Sequence, residues 1–138
     1  MTTRFTKTIA ALAAATLIGI TSFAAPAMAG GQISIGFSPT DPDQKQALGL
    51  GLKMFSLVQG MSATGANAYQ NGNGNSAGIA QNGSGNHGVI FQDGDGHNGT
   101  IEQNGNNNSC GLFQFGENTN GQCLQDGDDA GITTVFGF

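Results

Sequence analysis

The sequence predicts an all-β protein. The expected fold is a β-solenoid of two-strand rungs, 22 residues per rung and about three rungs, behind a short non-repeat segment. Three observations predict it. Glutamine recurs every eleven residues, at Gln59, Gln70, Gln81, Gln92, Gln103, Gln114 and Gln125. Glycine follows two places later at Gly72, Gly83, Gly94, Gly105, Gly116 and Gly127. Between these marks apolar or small residues alternate with polar ones, the period-two pattern of a strand. A fixed repeat lets a chain poor in ordinary core residues stack on itself where it could not build a globular core.

The first 29 residues read as an export signal. Arg4 and Lys7 form a basic start, Thr8 to Thr21 is a run of apolar and small residues, and Ala27-Met28-Ala29 is an A-x-A cleavage site. The run is too short for a membrane span. Beyond it only Lys45 and Lys53 are basic, against all nine acids of the chain. Such a balance lacks the cations that neutralise phosphates, so neither nucleic acid nor an anionic membrane surface is an expected partner.

Residues 30–58 form the non-repeat segment. Ile33, Ile35 and Phe37 alternate, which predicts a strand over 32–37. Thr40-Asp41-Pro42 is a helix start, and Ala47, Leu48, Leu50, Leu52, Phe55 and Leu57 favour a helix over about 42–57. Gly49 and Gly51 weaken that helix by about 1 kcal/mol each relative to Ala. The alternative is an additional strand over 53–59, since Gln59 is in register with the repeat. The segment is a recognition element for a secretion pore, a cap on the first rung, or a linker.

Residues 59–138 are the repeat domain. Each unit reads as Asn-x-small-x-Ile-x-Gln, a strand, and then x-Gly-x-Gly, a corner whose glycines tolerate positive φ. Expected strands are 64–70, 75–81, 86–92, 97–103, 108–114, 119–125 and a degraded 130–136. Two strands fold face to face, so identical residues recur about 4.8 Å apart along the stack. Gln59, Gln81, Gln103 and Gln125 then stack on one wall, and Gln70, Gln92 and Gln114 on the other. Asn75, His97 and Thr119 share a second ladder position, as do Asn86 and Asn108. A side-chain amide both donates and accepts, so it can bond its copies above and below. Across the core the large third inward residue (Ile79, Ile90, Ile101, Leu112) meets a small second one (Ala77, Gly88, Gly99, Gly121). Cys110 and Cys123 take such a facing small and large pair. In an oxidising compartment they are expected to form one disulfide, provided the rung pinches there, which Gly111 and Gly121 permit.

These residues resemble a known family. Q-x-G-x-G-N-x-A-x-x-x-Q stands complete at Gln70, Gly72, Gly74, Asn75, Ala77 and Gln81, recurs with Gly for Ala up to Gln92, and continues in weaker form to Gln125. This is similar to the curlin repeat of bacterial curli fibres. The resemblance covers about residues 59–136. It implies an extracellular fibre subunit (fimbrium) that polymerises as functional amyloid for surface adhesion and biofilm matrix. It also implies export through a dedicated outer-membrane pore, with partners that are further copies and other curlin subunits. The short array and the two cysteines leave open a minor or nucleator subunit, and a monomeric surface binding module is the reading from another class.

No enzyme, metal or cofactor chemistry is expected. His87, expected to point outward, and His97 lack acid or thiol partners in register. Asp93-Gly-Asp95 and Asp126-Gly-Asp128-Asp129 do not recur in every unit, as calcium solenoids require. The position before each Gln faces outward. On one wall it holds Tyr69, Phe91, Phe113 and Val135, an apolar stripe expected to meet either the 42–58 segment or a neighbouring filament. On the other it holds Val58, Ala80, Glu102 and Leu124.

Overall fold

The structure, a computed structural model, describes residues 31–138. The expected export signal, residues 1–29, lies outside the described residues. The repeat region folds as a β-solenoid of about three turns. Two parallel sheets face each other, and equivalent residues recur 22 apart.

Each repeat unit becomes one strand and one corner. After the N-terminal strand β1 (Gln32–Phe37) and helix α1 (Pro42–Val58) come β2 (Gly65–Asn71), β3 (Ser76–Asn82), β4 (His87–Asp95), β5 (Asn98–Asn104), β6 (Ser109–Glu117), β7 (Asn120–Asp126) and β8 (Ala130–Gly137). Strands alternate between walls. Wall A has the order β1-β8-β6-β4-β2, and wall B has β3-β5-β7. All neighbours are parallel except β1, which runs antiparallel to β8.

The corners explain the glycines. Gly72, Gly83 and Gly94 have φ of 112°, 112° and 129°. A Cβ on Gly83 would lie 2.0 Å from the Gly105 carbonyl oxygen one rung on, so both φ and the stacking distance demand glycine. At the second corner position Asn107 (φ 59°) and Asn118 (φ 52°) replace glycine. Asparagine tolerates the left-handed region better than other side chains.

The core is thin and apolar in its middle. Ile90, Ile101, Leu112 and the disulfide-bonded Cys110 and Cys123 lie within it, with Val135 closing one end. Large residues face glycines: a Cβ on Gly121 would sit 2.6 Å from Leu112, and one on Gly88 would sit 3.3 Å from Ile79. The cysteines occupy one such pair, with Cα atoms 6.7 Å apart, so the walls pinch at that rung.

Several expectations are corrected. Strands β3 to β7 start one residue later than the alternation suggests, because Asn75, Asn86, His97, Asn108 and Thr119 belong to the corners. Gln59 is not a rung: it is the C-cap of α1, and no strand occupies 53–59. The residue two past it is Met61, not glycine, so the corner chemistry is missing there. The register of β8 slips to 21 residues, which aligns Val135 with Gln114. Val135 is therefore buried inside and is not part of the outward stripe. The 30–58 segment does not cap the first rung. Its strand covers the far edge of β8, and its helix lies on the outer face of wall A.

Candidate functional site: the amide ladders and the open rung

The glutamines form two continuous ladders with a direction. On wall A, Gln70 Nε2 donates to Gln92 Oε1, and Gln92 Nε2 to Gln114 Oε1, each at 2.8 Å. On wall B, Gln81 donates to Gln103 and Gln103 to Gln125, each at 2.7 Å. The second N–H of each inner amide crosses the core to a backbone carbonyl on the opposite wall. Gln92 donates to Ser76, Gln103 to His87, Gln114 to Asn98 and Gln125 to Ser109. Those carbonyls fix the amide orientation, since only the nitrogen can donate to them. Gln92, Gln103 and Gln114 are fully buried. Each pairs both its polar atoms, which removes the penalty of burying them.

The second ladder position braces the corners. Asn75 Oδ1 accepts from the His97 backbone N–H, Asn86 Oδ1 from that of Asn108, and Asn108 Oδ1 from that of Asp129. His97 Nδ1 lies 2.8 Å from Thr119 Oγ1. These side chains reach mainly to backbone groups of the next rung, whereas the glutamines reach mainly to one another.

The two ends of the stack differ. At the first rung, β2 and β3 are both sheet edges. Gln70 and Gln81 there direct Nε2 into the stack, and their Oε1 atoms have no donor among the described residues. No residue from Gly60 to Asn86 carries a charge. At the last rung Gln114 turns Nε2 to Thr119 Oγ1 and the Thr119 carbonyl, because Val135 stands where the next glutamine would be. Strand β1 then covers β8. The Gln32 side chain clips onto the free edge of β7: its Oε1 accepts from the Asn120 N–H at 2.7 Å and its Nε2 donates to the Asn120 carbonyl at 3.0 Å.

Helix α1 covers the middle of the aromatic stripe, Phe91 and Phe113. Asp41 caps its start by accepting from the backbone N–H groups of Asp43 and Gln44. Leu52 is 2 % exposed, in a socket left by Gly111. Gly49 lets the helix approach, since a Cβ there would meet Ser109 Oγ at 3.0 Å. Phe55 packs edge-on against Phe91 and Phe113, and Tyr69 stacks on Phe91. His87 does face outward from the core, yet it is fully buried beneath the helix. Its Nε2 lies 3.1 Å from Ser56 Oγ, and its Nδ1 has no partner. Burial holds its pKa below the ordinary histidine value; a backbone contact at Leu52 opposes the shift and the Lys53 charge adds to it. Lys45 ties the helix to the β7–β8 corner through Asp129 and the Asp128 carbonyl. The outer face of α1 keeps Leu50, Met54, Leu57 and Val58 exposed.

Sequence reasoning missed the Gln32 clip, the Ser56–His87 contact and the extension of the stripe through Phe115 and Phe136. The first two join residues far apart in the chain and leave no local pattern. Comparison with protein-family models, with curated proteins and with solved structures returns no match.

Proposed function

We propose that this chain is a structural subunit of an extracellular curli-like amyloid fibre, built by rung-on-rung stacking. The observation that carries this reading is the open first rung. The edge strands of the two parallel sheets face each other there, uncharged, with both glutamine ladders unfinished. Soluble proteins guard such edges with charge, proline or bulges, because an unpaired edge templates further strands. Among the described residues no charge, proline or covering strand guards this one. The curlin-like spacing of Gln, Gly and Asn supports the same reading. So does the signal-like N-terminus, which directs the chain to the oxidising exterior where its disulfide persists. On this reading the protein acts as a scaffold: its order, adhesion and resistance come from the ladder.

The test is to collect the detergent-insoluble extracellular material of cells that make the chain. The chain is expected in fibres that diffract at about 4.8 and 10 Å, the cross-β spacings. Recovery of the chain solely as soluble monomer in the medium would overturn the reading.

A further inference from the structure

We propose that the molecule is one-ended: its first rung docks onto the open ladder end of another repeat chain, and its last rung accepts no further subunit. This rests on the fibre reading above and specifies the docking face and the partner's chemistry.

The docking face is the free edge of β2 and β3. Gln70, Gln92, Gln81 and Gln103 all point Nε2 toward the C-terminal end, so this face presents acceptors, Gln70 Oε1 and Gln81 Oε1. The matching surface offers two glutamine Nε2 donors in parallel register, one on each wall. A second copy of this rung turned head to head does not offer them. It would run antiparallel and set Gln70 against Ala66 and Gln81 against Ala77, breaking both ladders. The partner is therefore the C-terminal-type end of a parallel glutamine ladder with the same 22-residue rung.

This chain's own C-terminal end is not such a surface. Among the described residues wall A continues past β6 through β8 and β1, while wall B ends at β7. Two strands amount to about 10 Å of stack. A second copy seated on β1 would leave two strand positions, that same length of stack, vacant between its β3 and β7, and the wall B ladder would be interrupted. The ladder is also ended chemically. Val135 replaces the next wall A glutamine, and Gln114 bonds Thr119 in its place. Gln32 occupies the Asn120 N–H and carbonyl on the β7 edge. The acids Glu117, Asp126, Asp128 and Asp129 gather around this end, whereas the first rung has no charge. A subunit of this form adds to one fibre end and stops it.

The experiment uses sonicated fibres from producing cells and the full chain carrying a gold label. One label is expected at one of the two ends of a fragment, and the labelled end is expected to stop growing when soluble subunit is supplied. Ser76→Lys with Ala80→Lys places charge beside the docking edge at exposed positions. This variant is expected to keep the wild-type circular dichroism while end labelling falls to background. Label at both ends, label spread along a growing length, no label, or undiminished labelling by the folded lysine variant would each overturn the proposal. Absence of the chain from the native fibres, by contrast, would sink the fibre reading itself.

Discussion

Gln103 shows what a single residue does in this fold. Fully buried, it accepts from Gln81 and donates to Gln125 and to the His87 carbonyl. Leucine there would keep the volume, leave the buried Gln125 oxygen without its donor and the Gln81 Nε2 without its acceptor, and strip the His87 carbonyl of its side-chain bond. An unsatisfied buried polar group costs about 1–3 kcal/mol, so Gln103→Leu should lower stability by roughly 3 kcal/mol in urea titration. Gln122→Leu, on the exposed face of the neighbouring strand, should change it by less than about 0.5 kcal/mol. Equal effects would mean that a buried ladder amide contributes no more than an amide in contact with water. The cysteine pair acts through the unfolded chain as well. Its bridge spans 13 positions, and closing so short a loop contributes roughly 3 kcal/mol. Mass spectrometry of the unreduced protein after alkylation should find no modified thiol. Replacing both cysteines by alanine should lower stability by a similar amount, with about 1 kcal/mol added or removed by repacking.

Among the elements, α1 is the one held by packing and not by ladders. Leu52 is buried on wall A, worth about 2–3 kcal/mol, and Phe55 adds a partly buried ring, while the helix carries Gly49 and Gly51 in its interior. Its docking depends on His87 remaining neutral, since a protonated Nδ1 would be a buried donor without a partner. The folded pKa lies below that of the unfolded chain, so below about pH 6.5 the unfolded state binds more protons. The stabilisation is complete above that pH and declines as pH falls through it. Amide exchange in α1, referenced to β4–β6, should therefore rise between about pH 7.5 and 5.5, and a His87→Gln variant should lose this dependence. The repeat strands were legible in the sequence because each role is written several times over: one ambiguous position is corrected by its copies eleven residues away. The helix was legible from Asp41-Pro42 and the leucine spacing. What was not legible lacked repetition. Gln59 fits the period yet has no glycine corner after it. The Gly127–Asp129 corner is one residue shorter than the equivalent corner before β6, and this small change carried Val135 from the outer face into the core. Nothing local to Gln32–Phe37 says which edge it pairs with.

At the scale of the molecule, stability is nearly one-dimensional: each rung touches mainly its neighbours, so rungs behave as exchangeable units. The architecture nonetheless distinguishes its two walls. Wall A carries the helix, the aromatic stripe, the β8 lid and the β1 strand; wall B carries none of them. Excising residues 87–108 removes one whole rung. It brings β2 onto β6 and β3 onto β7 with Gln70 still below Gln114 and Gln81 below Gln125, and it keeps Phe113 under Phe55. That chain should fold in a single cooperative urea transition, with a lower midpoint for the loss of the Ile90 and Ile101 layer. Excising residues 87–97 removes only half a rung. Every later strand then changes wall: Phe113 and Gly111 turn away from α1, and β8 is presented to the wrong sheet for β1. The eleven-residue period is intact in the second variant, and more of the chain remains. If period alone specified the fold, the smaller deletion would be the milder one. The expected order is the reverse, read as loss of the helical circular dichroism signal and of a cooperative transition in the half-rung variant. A half-rung deletion that matched the full-rung one would show that the two walls are interchangeable.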